Sequence, residues 1–122
     1  MNKYLVFIVL ILVTSCTTIN VKPEEEYLCG PAPTYEQAQN AIKTFIERSG
    51  LKDPNSAQIR DIRIGERSAW VKGLINGGGY NYGWTIKFEI NAKNSFGAYV
   101  GFTRREVLLQ PDGLVRWRFT LE

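Results

Sequence analysis

The sequence predicts an α+β fold: one N-terminal helix packed on an antiparallel sheet of about five strands. Three observations predict it. Apolar residues recur with a helical period over residues 34–49. Trp84, Ile86, Phe88 and Ile90 alternate with Thr85, Lys87 and Glu89, the pattern of a half-buried strand. Pro111-Asp112-Gly113 separates two further alternating stretches and has the composition of a tight turn.

The helix has a start, a face and a stop. Thr34 is placed as N-cap, with Gln37 three residues later at capping-box spacing. Ala38, Ala41, Ile42, Phe45 and Ile46 follow the i, i+3, i+4, i+7, i+8 pattern of one buried face. Gly50 can end the helix in a left-handed conformation.

The strands follow from alternation and register. Arg60, Ile62 and Ile64 alternate with Ile59, Asp61 and Arg63. A short loop over residues 65–68 would set Ile62 against Val71 and Asp61 against Lys72, joining like with like and opposite charges. Residues 76–83 hold four glycines and two tyrosines and read as a flexible connection. A loop over residues 91–97 would set Ile90 against Ala98, Phe88 against Val100 and Ile86 against Phe102. A three-residue turn at Pro111-Asp112-Gly113 sets Leu109 against Val115, Val107 against Trp117 and Glu106 against Arg118. Phe102 is then inward on even numbers, whereas Val107 and Leu109 are inward on odd ones. A bulge or bend is therefore expected near residues 103–105.

Residues 1–15 read as a signal. Lys3 supplies a basic start, and Tyr4–Val13 is a ten-residue apolar run. Ten helical residues cover about 15 Å, half of a bilayer core, so a cleaved signal fits better than a span. Val13-Thr14-Ser15-Cys16 resembles the lipobox of bacterial lipoproteins. That resemblance implies diacylglycerol on Cys16, cleavage before it, and a lipid-anchored mature chain. Thr17, rather than Asp, resembles an outer-membrane address facing the periplasm in a cell with two membranes. Residues 16–33 then read as an acidic, proline-rich tether containing Glu24-Glu25-Glu26, with a flexible reach of roughly 20–25 Å. Residues 34–122 form the single domain.

Composition narrows the chemistry. The net charge of +3 is too mild to argue for nucleic acid. The chain has no histidine, the commonest general base and metal ligand. It has two cysteines, too few for a zinc site without histidine. No cofactor is expected. Lipidation of Cys16 would leave Cys29 as a packed or free thiol, or as the bridge of a disulfide-linked dimer. Without lipidation, a Cys16–Cys29 disulfide is the alternative. Gly77-Gly78-Gly79 lacks the Lys-Ser/Thr ending of a phosphate loop. Tyr80, Tyr82 and Trp84 read as core or rim packing, or as an aromatic binding tip.

Two groups are candidate contact residues. Arg104, Arg105, Arg116 and Arg118 form a candidate basic patch at one end of the last hairpin, or a solvent-facing strand surface partly neutralised by Glu106. Lys93, Asn94, Ser95, Phe96 and Tyr99 form a candidate recognition loop, or a shaped turn with its aromatics packed locally.

The run Asn91-Ala92-Lys93-Asn94-Ser95-Phe96-Gly97-Ala98-Tyr99-Val100-Gly101-Phe102 resembles a segment of small exported bacterial and prophage-associated proteins. Asp53-Pro54-Asn55-Ser56-Ala57 and Cys29-Gly30-Pro31-Ala32-Pro33 resemble further segments of that group, so the resemblance spans most of residues 29–103. The chain departs from it with Ala98 where glycine is common, and with Lys87 near where some relatives place a cysteine. The resemblance brings no catalytic residue with it.

The expected function is therefore a non-enzymatic binding module, tethered to the membrane through Cys16, for a protein or envelope component. Association with the prophage group implies a narrower version, an exclusion or inhibitor lipoprotein of a mobile element. The alternatives are a structural envelope lipoprotein without a specific ligand and, third, a small cell-wall hydrolase.

Overall fold

The computed structural model describes residues 18–118. The expected signal and Cys16 lie outside the described residues. The fold is α+β, with one main helix on an antiparallel sheet. The strands are β1 (Thr18–Ile19), β2 (Gln58–Val71), β3 (Tyr80–Asn91), β4 (Thr103–Leu109) and β5 (Val115–Trp117), hydrogen-bonded in chain order. Four carry the sheet, and β1 is a two-residue addition at the edge of β2.

The helix α1 (Tyr35–Arg48) forms as its sequence dictates. Thr34 Oγ1 accepts from the Gln37 amide at 3.2 Å, and Gln37 Oε1 accepts from the Thr34 amide at 2.8 Å. Two of the orphan N-terminal donors are thus satisfied. Ala38, Ala41, Ile42 and Phe45 are buried against Ile86, Phe88, Ile90 and Val107. Gly50 follows the helix with φ of 86°.

The long strand β2 corrects the expected turn at residues 65–68. Its residues pair with β3 from Gln58↔Asn91 to Val71↔Tyr80, and the chain reverses only at 72–79. Gly65 marks a bulge. There the register shifts between Ile64 and Arg67, so two β2 residues face Thr85 alone. The Thr85 hydroxyl fills the gap, donating to the Glu66 carbonyl and accepting from the Glu66 amide, both at 3.1 Å. A Cβ on Gly65 would stand 2.3 Å from Thr85 Oγ1, which is why the position is glycine. A second shift lies between Arg60 and Arg63, where Asp61 has φ of 56°, a region that aspartate tolerates.

The β3–β4 register also differs from expectation. Ile90 faces Thr103, Phe88 faces Arg105 and Ile86 faces Val107. The connection runs over residues 92–102 because Asn side chains, not a partner strand, take its backbone groups. Asn91 Oδ1 accepts from the Gly101 amide, and Asn94 Oδ1 accepts from the amides of Phe96 and Ala98. Since β4 begins at Thr103 and pairs with β3 without a register shift, no phase change is needed, and the bulge or bend expected at 103–105 is absent. The last hairpin has the expected register, Leu109↔Val115 and Val107↔Trp117. Its turn is closed by Gly113 N–H on the Gln110 carbonyl at 3.0 Å.

Residues 18–33, within the expected tether, lie along the domain rather than free of it. Thr18 and Ile19 pair with Trp70 and Ala69. Pro23–Cys29 form a 3₁₀ segment whose Cys29 is 1% exposed. Trp84 Nε1–H donates to the Gly30 carbonyl at 3.0 Å, and Arg67 approaches Glu26 at 3.8 Å. Burial of one apolar thiol and a tryptophan hydrogen bond hold the acidic segment down.

Candidate functional site

The helix covers one face of the sheet. The opposite face carries a cleft of about 420 Å³. Alternation assigns it: Ile86, Phe88 and Ile90 point to the helix, so Lys87 and Glu89 point away. From β2 come Asp61, Arg63 and Trp70, from β4 Arg104, Arg105 and Glu106, and from just after β5 Arg118. These five cations and three carboxylates leave an excess of two positive charges.

Trp70 makes the buried part of the wall. It is 4% exposed, with the Arg118 guanidinium 3.9 Å above its ring. Stacking of this kind helps to hold a cation in place. Trp70 Nε1–H has no hydrogen-bond partner among the described residues, although a buried indole donor usually finds one. The Asp61 bulge sets the Asp61–Arg63 pair at 3.1 Å on the rim. Glu89 holds Arg60 at 2.6 Å and Arg104 at 3.9 Å, and Lys87 lies 3.4 Å from Glu66.

The expected basic patch is divided. Arg104, Arg105 and Arg118 border this cleft. Arg116 does not border it, and its Nε–H donates to Gln110 Oε1 at 2.8 Å. Sequence reasoning did not single out Trp70, Asp61, Arg63, Lys87 or Glu89 as site residues. One signal was available: aspartate inside a strand-like run is unfavourable there and marks a bulge.

The expected recognition loop lies at the far end of β3. Lys93 and Tyr99 bridge across it. The Lys93 amide donates to Ser56 Oγ and the Tyr99 hydroxyl to the Ser56 carbonyl, both at 2.9 Å. The Asp53–Ala57 and Asn91–Phe102 segments are therefore bound to each other. Asn94 serves the loop's own shape and Tyr99 ties it to Ser56, while Ser95 and Phe96 project, Phe96 being 92% exposed. Tyr82 and Trp84 are half-buried, and Tyr80 is half-exposed with its ring edge-on to Tyr82 at 6.2 Å. Burial, then the neighbouring Glu25 carboxylate, raises the Tyr82 phenol above its ordinary pKa.

Cys29 is a free, buried thiol. Burial pushes it up, against the lowering effect of the Gly83 backbone amide. Its stabilising contribution is complete below the ordinary thiol pKa and is lost as pH rises through the raised folded value. Native protein is expected to react slowly with iodoacetamide and rapidly in denaturant, read as mass increase against time. Fast native alkylation would mean that the 3₁₀ segment lifts readily. An interchain disulfide through Cys29 requires that same lifting.

Among the described residues no helix is long and apolar enough to cross a membrane. No family model matches the chain, and no characterised protein or solved structure is significantly similar to it.

Proposed function

We propose that this chain is a membrane-anchored bacterial lipoprotein, attached through Cys16, whose exported domain is a non-enzymatic binding module for a protein or other envelope component. Its place is the outer membrane, facing the periplasm, in a cell with two membranes. The cleft opposite the helix is the observation that carries the reading. Its rim pairs are exposed, and pairs of that kind contribute about 0–1 kcal/mol each. They exchange readily for the charges of a partner. The excess positive charge favours a partner presenting carboxylates or other anionic groups.

Photo-crosslinking in intact cells tests the reading, with the reactive group placed at Arg104 on the cleft rim. One dominant adduct is expected, and it should disappear when Lys87 and Arg63 are both reversed to Glu. A diffuse smear would favour a structural lipoprotein without a specific ligand. Cleavage of cell-wall glycan by the purified protein, lost in Glu89→Gln, would replace binding by catalysis.

A further inference from the structure

We infer that the β2–β3 hairpin tip is a second membrane contact, dipping into the headgroup region of the bilayer that holds the Cys16 lipid. The inference rests on the lipid-anchor reading. Leu74 is 94% and Ile75 101% exposed. They sit side by side on a turn built to hold them outward. The Lys72 amide donates to the Gly79 carbonyl at 2.9 Å, Gly77 N–H to the Leu74 carbonyl at 3.2 Å, and Gly78 N–H to the Gly73 carbonyl at 3.3 Å. Val71 and Tyr80 at its base are half-exposed.

The length of chain before β1 says what covers this tip. Thr18 pairs with Trp70, the residue before Val71. Cys16 precedes Thr18 by two residues, a reach of about 7 Å at most. Lipid chains on Cys16 therefore enter the bilayer beside the hairpin that carries Leu74 and Ile75. The charge pattern agrees. Between Glu66 and Glu89 the chain has Arg67, Lys72 and Lys87 and no acidic residue. Of these, Lys72 stands at the base of the tip, while Arg67 and Lys87 lie further along the strands against Glu26 and Glu66; a basic side chain beside an apolar tip suits an anionic lipid surface. Tyr80 stands where an interfacial aromatic is favoured, with an apolar ring and a wet hydroxyl. The apolar pair would lie about 5–10 Å into the headgroup–acyl boundary.

The test uses the full-length lipidated protein in phosphatidylethanolamine–phosphatidylglycerol vesicles. A nitrobenzoxadiazole label is attached to Ile75→Cys, or to Phe96→Cys at the opposite end of β3. Cys29 is buried and Cys16 is consumed by the lipid, so each variant labels at one place. The Ile75→Cys label should emit further to the blue, and doxyl-labelled lipid should quench it several-fold more than the Phe96→Cys label. Equal quenching at both sites, with lipid on Cys16 confirmed by mass, overturns the tip contact and leaves the anchor intact. A blue shift that grows with protein concentration and resists doxyl quenching assigns the tip to a second copy of the chain, and also overturns it. If the mass shows Cys16 without lipid, the anchor reading fails and the tip contact falls with it.

Discussion

Replacing Phe88 by alanine is expected to destabilise the domain by about 3–5 kcal/mol, the range for deleting a buried aromatic side chain. Phe88 is 2% exposed and lies at the centre of the helix–sheet contact. Its ring meets Phe45 edge-on at 5.4 Å, and Phe45 meets Trp117 edge-on at 5.9 Å. Truncation removes one member of this aromatic chain and leaves a cavity between helix and sheet. The edge-on contact adds about 0.5–1.5 kcal/mol beyond buried area. Against a total stability of about 5–15 kcal/mol, the variant retains little margin. A domain of this size loses about 4–8 °C of Tm per kcal/mol. Thermal unfolding followed by circular dichroism should therefore show a drop of more than about 12 °C. A shift below about 4 °C would mean that Phe88 is not a packed core residue.

Phe88 was legible in the sequence because its inward position follows from alternation alone. The helix was legible for a similar reason: the Thr34–Gln37 box and the Ala38–Ile46 face are contained within a few turns. The last hairpin was legible because Pro111-Asp112-Gly113 closes it locally. The two errors in strand pairing arose where a local signal had a distant cause. Gly65 resembles a turn residue, but its lack of a Cβ serves Thr85, twenty positions away. Ala98, Val100 and Phe102 alternate like a strand, yet the Asn91 and Asn94 amides take the backbone hydrogen bonds that a partner strand would have supplied. The cleft was the least legible feature. Its walls come from β2, β3, β4 and the residue just after β5, and two bulges in β2 decide which side chains reach it. Such a site follows from register, which no short window contains.

The same register gives the domain two ends. The Leu74–Ile75 tip and Thr18, two residues after Cys16 in the sequence, lie toward one end of β3. The Ser95–Phe96 projection lies at the other, about 36 Å away along the strand. Stand-off from the membrane would then come from the rigid length of the sheet, rather than from a flexible acidic tether. The cleft lies along the sheet between these ends; on the proposed reading, an envelope partner would reach it there without displacing lipid.

Cys16→Ala is expected to abolish lipid labelling and to leave a precursor that keeps its signal. The physical reason is the absence of a nucleophile: the thiol sulfur forms the thioether to diacylglycerol, and a methyl group cannot. The hairpin tip cannot substitute for it. Full burial of Leu74 and Ile75 would contribute about 1.5–3 kcal/mol each, so the pair together matches at most one marginal acyl chain, with a binding constant of about 10⁴ M⁻¹. Stable attachment takes two such signals. On the proposed reading, the anchor would decide whether the protein stays at the membrane, and the tip how it sits there. Metabolic labelling with a fatty acid, followed by electrophoresis and fractionation, reads both effects of the substitution. The wild-type chain should carry label at the mature mass, and Cys16→Ala should run larger and unlabelled. Normal processing with retained label would sink the lipid anchor, whereas Leu74→Asp with Ile75→Asp should leave labelling and processing unchanged.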